Sequence, residues 1–166
     1  MEKVALIMGS VNDYPVLRKT EETLSALGIP FETHALSAHR TPDAVREFAR
    51  GAQEKGIGVI IAAAGKAAHL AGVIASYTLL PVIGIPLTSS ALDGLDALLS
   101  TVQMPAGIPV ATVAIDGAEN AGILAARILA RGDTALAERL QRKREEIKEA
   151  ALQKEQELRG GTHDER

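Results

Sequence analysis

The chain has 166 residues, the length of a single domain, and its 18 basic and 21 acidic residues give a formal net charge of -3. Aromatic residues make up 2% of the chain and do not interleave with a basic cluster, which argues against a nucleic-acid-binding surface. The lack of cysteine excludes disulfides, zinc–thiolate sites and a cysteine nucleophile, and no apolar run is long enough for a signal peptide or membrane span, which predicts a soluble, cytoplasmic protein.

Five short apolar segments are predicted to be β-strands, and they alternate with amphipathic helical segments. The strands are predicted at residues 4–8, 31–36, 59–63, 82–85 and 110–115. A core of small aliphatic residues with few aromatics is typical of parallel strands covered by helices on both faces. This alternation predicts an α/β domain with an open, doubly wound parallel sheet, which binds ligands outside the carboxyl ends of its strands.

The connecting segments carry the signals of helix starts and ends. Asn12 or Asp13 is expected to cap the first helix, which Gly28 ends. The second is predicted to start after Thr41 as N-cap and to continue to Gly56. Three further helices are predicted at residues 67–76, 92–102 and 118–130.

The last part of the chain is predicted to be one long charged helix over residues 133–158. Its apolar residues form a thin stripe: Leu136, Leu140, Ile147, Ala151 and Leu158. The helix either lies on its own domain or reaches a neighbouring subunit, and we favour the second because so long a helix has little core of its own. The predicted organisation is a domain at 1–132, this helix at 133–158 and a tail at 159–166.

Three polar segments follow the first three predicted strands and should converge on one crevice: GSVND at 9–13, SAHRTP at 37–42 and GKAAHLAG at 65–72. The first offers Ser10 and backbone N–H groups at a helix N-terminus, which favour an anion. Asp13 repels phosphate but can accept hydrogen bonds from a sugar diol, whereas the alternative is that Asn12 and Asp13 serve only as helix caps. The segment lacks the glycine and lysine patterns that bind dinucleotides or ATP.

The second and third segments supply candidates for anion binding and proton transfer. Arg40 can bind a phosphate through two parallel hydrogen bonds. His39 is the candidate proton carrier, because it lies between Ser37 and Arg40 at the end of a strand and opposite a second histidine loop. His69 is either a second proton-transfer or positioning group, or simply a loop residue.

The other two histidines are not expected to take part. His34 lies within a predicted strand and His163 lies in the tail. Two histidines without a carboxylate at ligand spacing make a poor metal-binding set, so no metal is expected. The residues also give no defensible nucleophile–histidine–acid order.

The three polar segments, with LLSTVQMPAGIPVATVAI at 98–115 and NAGILAARILA at 120–130, resemble the catalytic subunit family of phosphoribosylaminoimidazole carboxylase. They look most like its bacterial mutase form, and the match covers residues 3–130 in order and spacing. The resemblance implies a flavodoxin-like three-layer fold with a five-stranded parallel sheet. It also implies a homo-octamer with sites at subunit contacts, and no organic cofactor, nucleic acid or membrane partner.

The resemblance further implies roles for individual residues. Ser10, Asp13 and Arg40 are expected to bind a ribonucleotide, with His39 as general acid/base, while the loop that carries His69 and Leu70 closes on the base. The other expected substrate contacts lie beside them in the three segments: Asn12, Ser37, Ala38, Gly65, Ala67 and Ala68.

This chain departs from the common form of the family at three positions. Asn12 stands where the family commonly has serine, and its amide still donates hydrogen bonds. Lys66 and Ala71 replace a glycine and a proline of the common segment GGAAHLPG. These changes alter the stiffness of the loop and add a cation that faces either substrate or solvent.

The predicted activity belongs to de novo purine biosynthesis. The enzyme is expected to move a carboxyl group from the exocyclic nitrogen to the adjacent ring carbon of 5-(carboxyamino)imidazole ribonucleotide, by decarboxylation and recarboxylation, with His39 moving the protons. The product would be 4-carboxy-5-aminoimidazole ribonucleotide. The alternatives are a carboxylase that uses free CO2, and a nucleotide-binding module without catalysis.

Overall fold

A computed structural model describes residues 2–161, which form a parallel five-stranded sheet between two layers of helices. The strands are β1 Lys3–Met8, β2 Phe31–Ala35, β3 Ile57–Gly65, β4 Val82–Leu87 and β5 Ala111–Thr112. The helices are α1 Tyr14–Ala26, α2 Pro42–Gly51, α3 Leu70–Ala75, α4 Leu95–Val102, α5 Ala118–Leu129 and α6 Thr134–Gly161. Short 3-10 turns at Val11–Asp13 and Ala130–Gly132 precede α1 and α6. The predicted flavodoxin-like α/β fold is confirmed.

Side chains alternate between the two faces of the sheet, so each face has its own core. On one face Leu6 and Ile61 pack with residues of α1, α5 and the start of α6. On the other face Ile7 and Ile60 pack with residues of α2 and α3. The apolar run of β3 is buried from residue 57 to residue 63, as expected of a central strand covered on both sides.

The strand order β2-β1-β3-β4-β5 fixes where a ligand can bind. The chain leaves β1 through α1 on one face and leaves β2 through α2 on the other. The connections therefore separate at the carboxyl end of β1, where the order of strands reverses. In a sheet of this kind a crevice opens at that point.

The fifth strand is shorter than the predicted 110–115. Only Ala111 and Thr112 pair regularly with β4. The backbone N–H groups of Val113 and Asp116 still donate to β4 carbonyls, at 3.1 and 2.9 Å. Asp116 has a φ of 55°, so the segment turns out of strand geometry while it follows the edge of the sheet.

Two helices begin later than predicted, and residues with positive φ explain the difference at the second of them. Lys66 has a φ of 55°, and α3 begins at Leu70 instead of residue 67. Asp93 and Gly94 have φ values of 50° and 87°, and α4 begins at Leu95 instead of residue 92. The left-handed backbone cannot continue a right-handed helix. The second helix also ends earlier than predicted, at Gly51, with turns up to Gly56.

The long C-terminal helix α6 has two different halves. In its first half Leu136 is fully buried, and Arg139 Nε donates to the carbonyl oxygen of Leu27 at 2.8 Å. From Glu146 to Arg159 every residue is exposed. The helix continues past the predicted end at 158, whereas residues 162–166, including His163, lie outside the described residues. No helix within the described range is long and apolar enough to cross a membrane.

Candidate active site

The carboxyl ends of the first four strands surround a cleft of about 680 Å³. All three predicted segments meet in it. The lining residues are Gly9, Ser10, Asn12, Asp13, Ser37, Ala38, His39, Arg40, Ala64, Gly65, Lys66, Ala67, Leu70, Leu87, Thr88, Ser89 and Ser90. The cleft lies at the point where the strand order reverses.

The first segment forms a reciprocal cap on the 3-10 turn before α1. The backbone N–H of Asn12 donates to Ser10 Oγ at 3.3 Å, and the backbone N–H of Ser10 donates to Asp13 Oδ2 at 3.1 Å. Asp13 therefore acts as a cap and also lines the cleft, so the two alternatives for this residue are compatible. Its second carboxylate oxygen can still accept a hydrogen bond from a ligand.

Partial burial raises the pKa of the Asp13 carboxyl above its usual value. The Ser10 N–H bond and the positive charge of Arg40 oppose this effect, to a smaller extent. As the pH falls, Asp13 therefore takes up its proton at a higher pH than an ordinary exposed aspartate does. Over the same pH range, the Asp13 carboxylate loses its ability to accept hydrogen bonds from a sugar diol.

The second segment is a tight turn that holds itself together. The backbone N–H of Ser37 donates to Thr41 Oγ1 at 3.0 Å, and both the hydroxyl and the backbone N–H of Thr41 donate to the carbonyl of Ser37. Thr41 occupies the predicted N-cap position of α2, but its side chain makes no cap hydrogen bond. Its hydroxyl closes the turn instead, which presents His39 and Arg40 to the cleft.

Arg40 links two of the three segments. Its Nη2 donates to the carbonyl of Gly9 at 2.9 Å, and its Nε donates to Ser37 Oγ at 3.4 Å. The remaining guanidinium N–H groups are available to an anion in the cleft. The arginine thus fixes the turn after β2 against the end of β1, close to Ser10.

His39 and His69 are in direct contact. Their Nε2 and Nδ1 atoms are 3.0 Å apart, and the two rings meet edge to face with centroids at 5.1 Å. A hydrogen bond of this kind needs one nitrogen with a proton and one without. The two rings can therefore share one proton between them. The other nitrogen of each ring can exchange a proton with a ligand.

The third segment lies only partly in the cleft. Gly65, Ala67 and Leu70 line it as predicted, whereas Ala68 is 1% exposed and does not belong to the wall. His69 is also absent from the lining residues and reaches the cleft through His39. Residues 70–72 already belong to α3, so the part of this segment outside regular structure is residues 66–69.

A fourth segment, after β4, was missed by the sequence analysis. Leu87, Thr88, Ser89 and Ser90 form one wall of the cleft. Asp116 holds Thr88 by accepting both its backbone N–H, at 3.0 Å, and its hydroxyl. The signal was available, since three hydroxyl residues lie shortly after the predicted strand 82–85 in an open parallel sheet.

The charges of the cleft come from few residues. Among the described residues that line it, Asp13 is the only carboxylate, and Arg40 and Lys66 are the only permanent cations. Within residues 2–161 no group of three or more His, Asp or Glu side chains is placed to bind a metal ion. His34 instead bonds to Glu32 at 3.1 Å and stacks near Phe48, in keeping with its predicted position in a strand.

Comparison with known proteins shows the family to which the chain belongs. The family model described as AIR carboxylase matches residues 3–150, which is most of the chain. The chain belongs to the AIR carboxylase family. The match extends beyond the 3–130 predicted from the motifs, through α5 and into α6.

Relatives in the AIR carboxylase family match nearly the whole chain. It is 52% identical to the N5-carboxyaminoimidazole ribonucleotide mutase of Thermotoga maritima, covering 95% of this chain and 92% of that protein. It is 50% identical to the chloroplastic phosphoribosylaminoimidazole carboxylase of Vigna aconitifolia, covering 90% of this chain but only 27% of that protein. The crystal structure of Treponema denticola PurE has a TM-score of 0.83 at 26% identity, covering 93% and 97% of the two chains.

Proposed function

We propose that this member of the AIR carboxylase family is a mutase of de novo purine biosynthesis. It would convert 5-(carboxyamino)imidazole ribonucleotide to 4-carboxy-5-aminoimidazole ribonucleotide. The observation that carries the proposal is the 52% identity to a mutase over nearly the full length of both chains. The paired histidines beside a basic cleft provide groups suited to that chemistry.

The cleft offers a separate place for each part of such a substrate. Arg40 and the Ser10 turn provide donors for the phosphate at the end of β1. The free oxygen of Asp13 can accept from the ribose hydroxyls. The base would then lie between His39 and the segment that follows β3, held in position for reaction by the anchored phosphate.

The proposed reaction breaks one bond and forms another on the same molecule. The bond between the exocyclic nitrogen and the carboxyl carbon breaks, its electron pair stays on the nitrogen, and CO2 is released. The nitrogen takes a proton. The enamine-like ring carbon then attacks CO2, and the proton on that carbon is removed, so that protons and electrons balance without an oxidant or reductant.

His39 is the residue proposed to donate and then remove these protons. An imidazole can act as both acid and base near neutral pH, which suits a reaction that needs one proton at each end. Its hydrogen bond to His69 gives the ring a partner that can accept or return a proton. We therefore assign His39 the chemical role and His69 a supporting one.

A carboxylase that uses free CO2 is the second candidate, favoured by the likeness to the chloroplastic carboxylase. A single-turnover reaction in labelled bicarbonate separates the two. For a mutase, the carboxyamino ribonucleotide is converted without added bicarbonate, and little label enters the product. Extensive labelling, with no conversion when bicarbonate is absent, would establish the carboxylase instead. A non-catalytic binding module would bind ribonucleotides and convert neither substrate.

We also propose that the enzyme is a cytoplasmic homo-oligomer, and specifically an octamer. A cleft of about 810 Å³ between α5 and α6 supports contacts between subunits, since it combines apolar residues with Arg127, Lys143 and Arg144. The exposed half of α6 carries charges of both signs and the apolar residues Ile147 and Leu152. This half of one copy would pack against the neighbouring copy. The chain contains no cysteine, which is compatible with a reducing compartment.

A further inference from the structure

Lys66 is a cation in the cleft that the proposed mechanism does not use. It lines the cleft and is exposed, and its side chain forms no hydrogen bond or ion pair with the described residues. Its φ of 55° lies in the left-handed region, where glycine is free of strain and lysine is not. A strained non-glycine residue beside a cleft points to a role for its side chain.

Ser89 is a second unused group on the same side of the cleft. Its hydroxyl oxygen is buried and has no hydrogen-bond partner among the described residues. Its backbone is fixed, because its carbonyl accepts the N–H of Asp93 at 3.2 Å. A buried hydroxyl without a partner is costly, and a bound ligand would supply the missing partner.

The sheet places the two segments that carry these groups side by side, at the ends of β3 and β4. Gly65 and Leu87 are paired in the register of β3 and β4, so Lys66 and Thr88 follow directly from paired positions. Adjacent strands are about 4.8 Å apart. Arg40 is tied to Gly9 at the end of β1, on the other side of β3 from Ser89. The two cations Arg40 and Lys66 thus follow different strands, β2 and β3, which are separated by β1.

We propose that Lys66 and Ser89 form a second anion subsite, which binds the carboxylate of the ribonucleotide while Arg40 binds its phosphate. This assignment rests on the proposed function. An ammonium group and a hydroxyl donor suit a carboxylate, whereas neutral CO2 and the uncarboxylated base gain little from a cation. Lys66 would therefore set the preference of the enzyme for carboxylated over uncarboxylated ribonucleotides.

Titration calorimetry at low salt with two ligands tests the subsite. The ligands are 4-carboxy-5-aminoimidazole ribonucleotide and 5-aminoimidazole ribonucleotide, which differ only in the carboxyl group. Lys66→Met should weaken binding of the carboxylated ligand about fivefold, as for an exposed ion pair, and leave the other unchanged. Lys66→Arg should retain most of the preference for the carboxylated ligand. Ser89→Ala should weaken binding of the carboxylated ligand and leave binding of the other unchanged.

The control is Lys19→Met, which removes an exposed lysine from α1 outside the cleft. A second variant, Lys66→Gly, removes the same charge and also relieves the positive φ, so it separates the loss of charge from misfolding. The subsite is refuted if Lys66→Met and Lys66→Gly leave the ratio of the two dissociation constants unchanged while the wild-type enzyme converts its substrate. Failure of the wild-type protein to bind or convert either ribonucleotide would instead refute the proposed function, and the subsite with it.

Discussion

At the scale of single residues, the cleft works through groups that are held by other groups. His39 bonds to His69, Arg40 is bonded to Gly9 and Ser37, and Asp13 accepts from the backbone of Ser10. Each functional side chain therefore keeps at least one polar atom for a ligand while another fixes its position. Such support reduces the conformational freedom that binding and catalysis must overcome.

The histidine pair gives the first prediction. His39→Asn should keep ribonucleotide affinity but lower kcat by about 10²- to 10⁴-fold, because an amide can form hydrogen bonds but cannot carry a proton near neutral pH. If the pair acts as one unit, His39→Asn combined with His69→Ala should lose no more activity than His39→Asn alone. Steady-state kinetics and calorimetry on His39→Asn, His69→Ala and the double variant measure this. Near-normal turnover by His39→Asn would remove His39 from the mechanism.

Arg40 gives the second prediction, on binding rather than on turnover. Arg40→Ala should weaken ribonucleotide binding by about 2 kcal/mol, the usual worth of a charge-assisted contact. Arg40→Lys should recover only part of this, since a lysine cannot hold the Gly9 carbonyl and a phosphate in a fork. Arg46→Ala, which removes an exposed partner of Asp43 on α2, is the control. An unchanged dissociation constant for Arg40→Ala would show that the phosphate binds elsewhere.

At this scale the sequence predicted which residues lie in the cleft better than it predicted which of them contact each other. Ser10, Asp13, His39 and Arg40 were predictable because each follows the carboxyl end of a predicted strand, where parallel sheets place their ligands. The direct bond between His39 and His69 was not predictable, since it depends on the packing of two turns. Ala68, expected to contact the substrate, is buried, and a small residue in a loop carries no sign of the direction in which it packs.

At the scale of elements, continuous apolar runs determine where most strands form, and close packing against the sheet determines where the helices lie. β1, β3 and β4 were predictable for this reason, whereas β2 is half-buried and mixes apolar with polar residues. The edge strand β5 was predicted too long, because Val110 to Ile115 has a strand-like composition although only Ala111 and Thr112 pair regularly with β4. The late start of α4 depends on positive φ at Asp93 and Gly94, an Asp-Gly pair whose turn signal the helix prediction overlooked.

Gly84 gives a prediction about packing between elements. A Cβ added there would lie 2.3 Å from Thr101 Cγ2 and 3.1 Å from Val110 Cγ1, so α4 rests directly on β4. Gly84→Ala should destabilise the fold by about 1–3 kcal/mol through overpacking. Gly132→Ala is the control, since nothing lies within 4 Å of its added Cβ. Denaturant unfolding at matched protein concentrations compares them, and equal midpoints would show that α4 can shift without cost.

At the scale of the whole molecule, α6 packs on the domain with its first half and extends into solvent with its second half. Its first half completes the core with Leu136, whereas its second half leaves Ile147 and Leu152 each 53% exposed. In the proposed oligomer, folding and assembly would depend on different parts of the same helix. The sequence predicted the helix but could not divide it, because its thin apolar stripe continues across both halves.

Truncation tests this division. A chain ending at Lys148 should unfold at nearly the same denaturant concentration per subunit but form smaller assemblies, since residues 149–159, which it lacks, are all exposed. A chain ending at Gly132 also loses buried Leu136 and should be destabilised by several kcal/mol, about 2–5 for that side chain alone. Light scattering and denaturant unfolding measure both. An unchanged oligomer mass for the chain ending at Lys148 would show that the distal half is not needed for assembly.

The contact between α6 and the end of α1 has a consequence for biosynthesis. Leu136 belongs to the same core cluster as Leu24 and Leu27, and Arg139 bonds to the carbonyl of Leu27, 112 residues earlier in the chain. Ribosomes make the chain from its N-terminus, so this part of the first helical layer stays uncovered until the last helix emerges. The nascent protein therefore leaves the aliphatic surface of Leu24 and Leu27 incompletely covered until α6 has been synthesised.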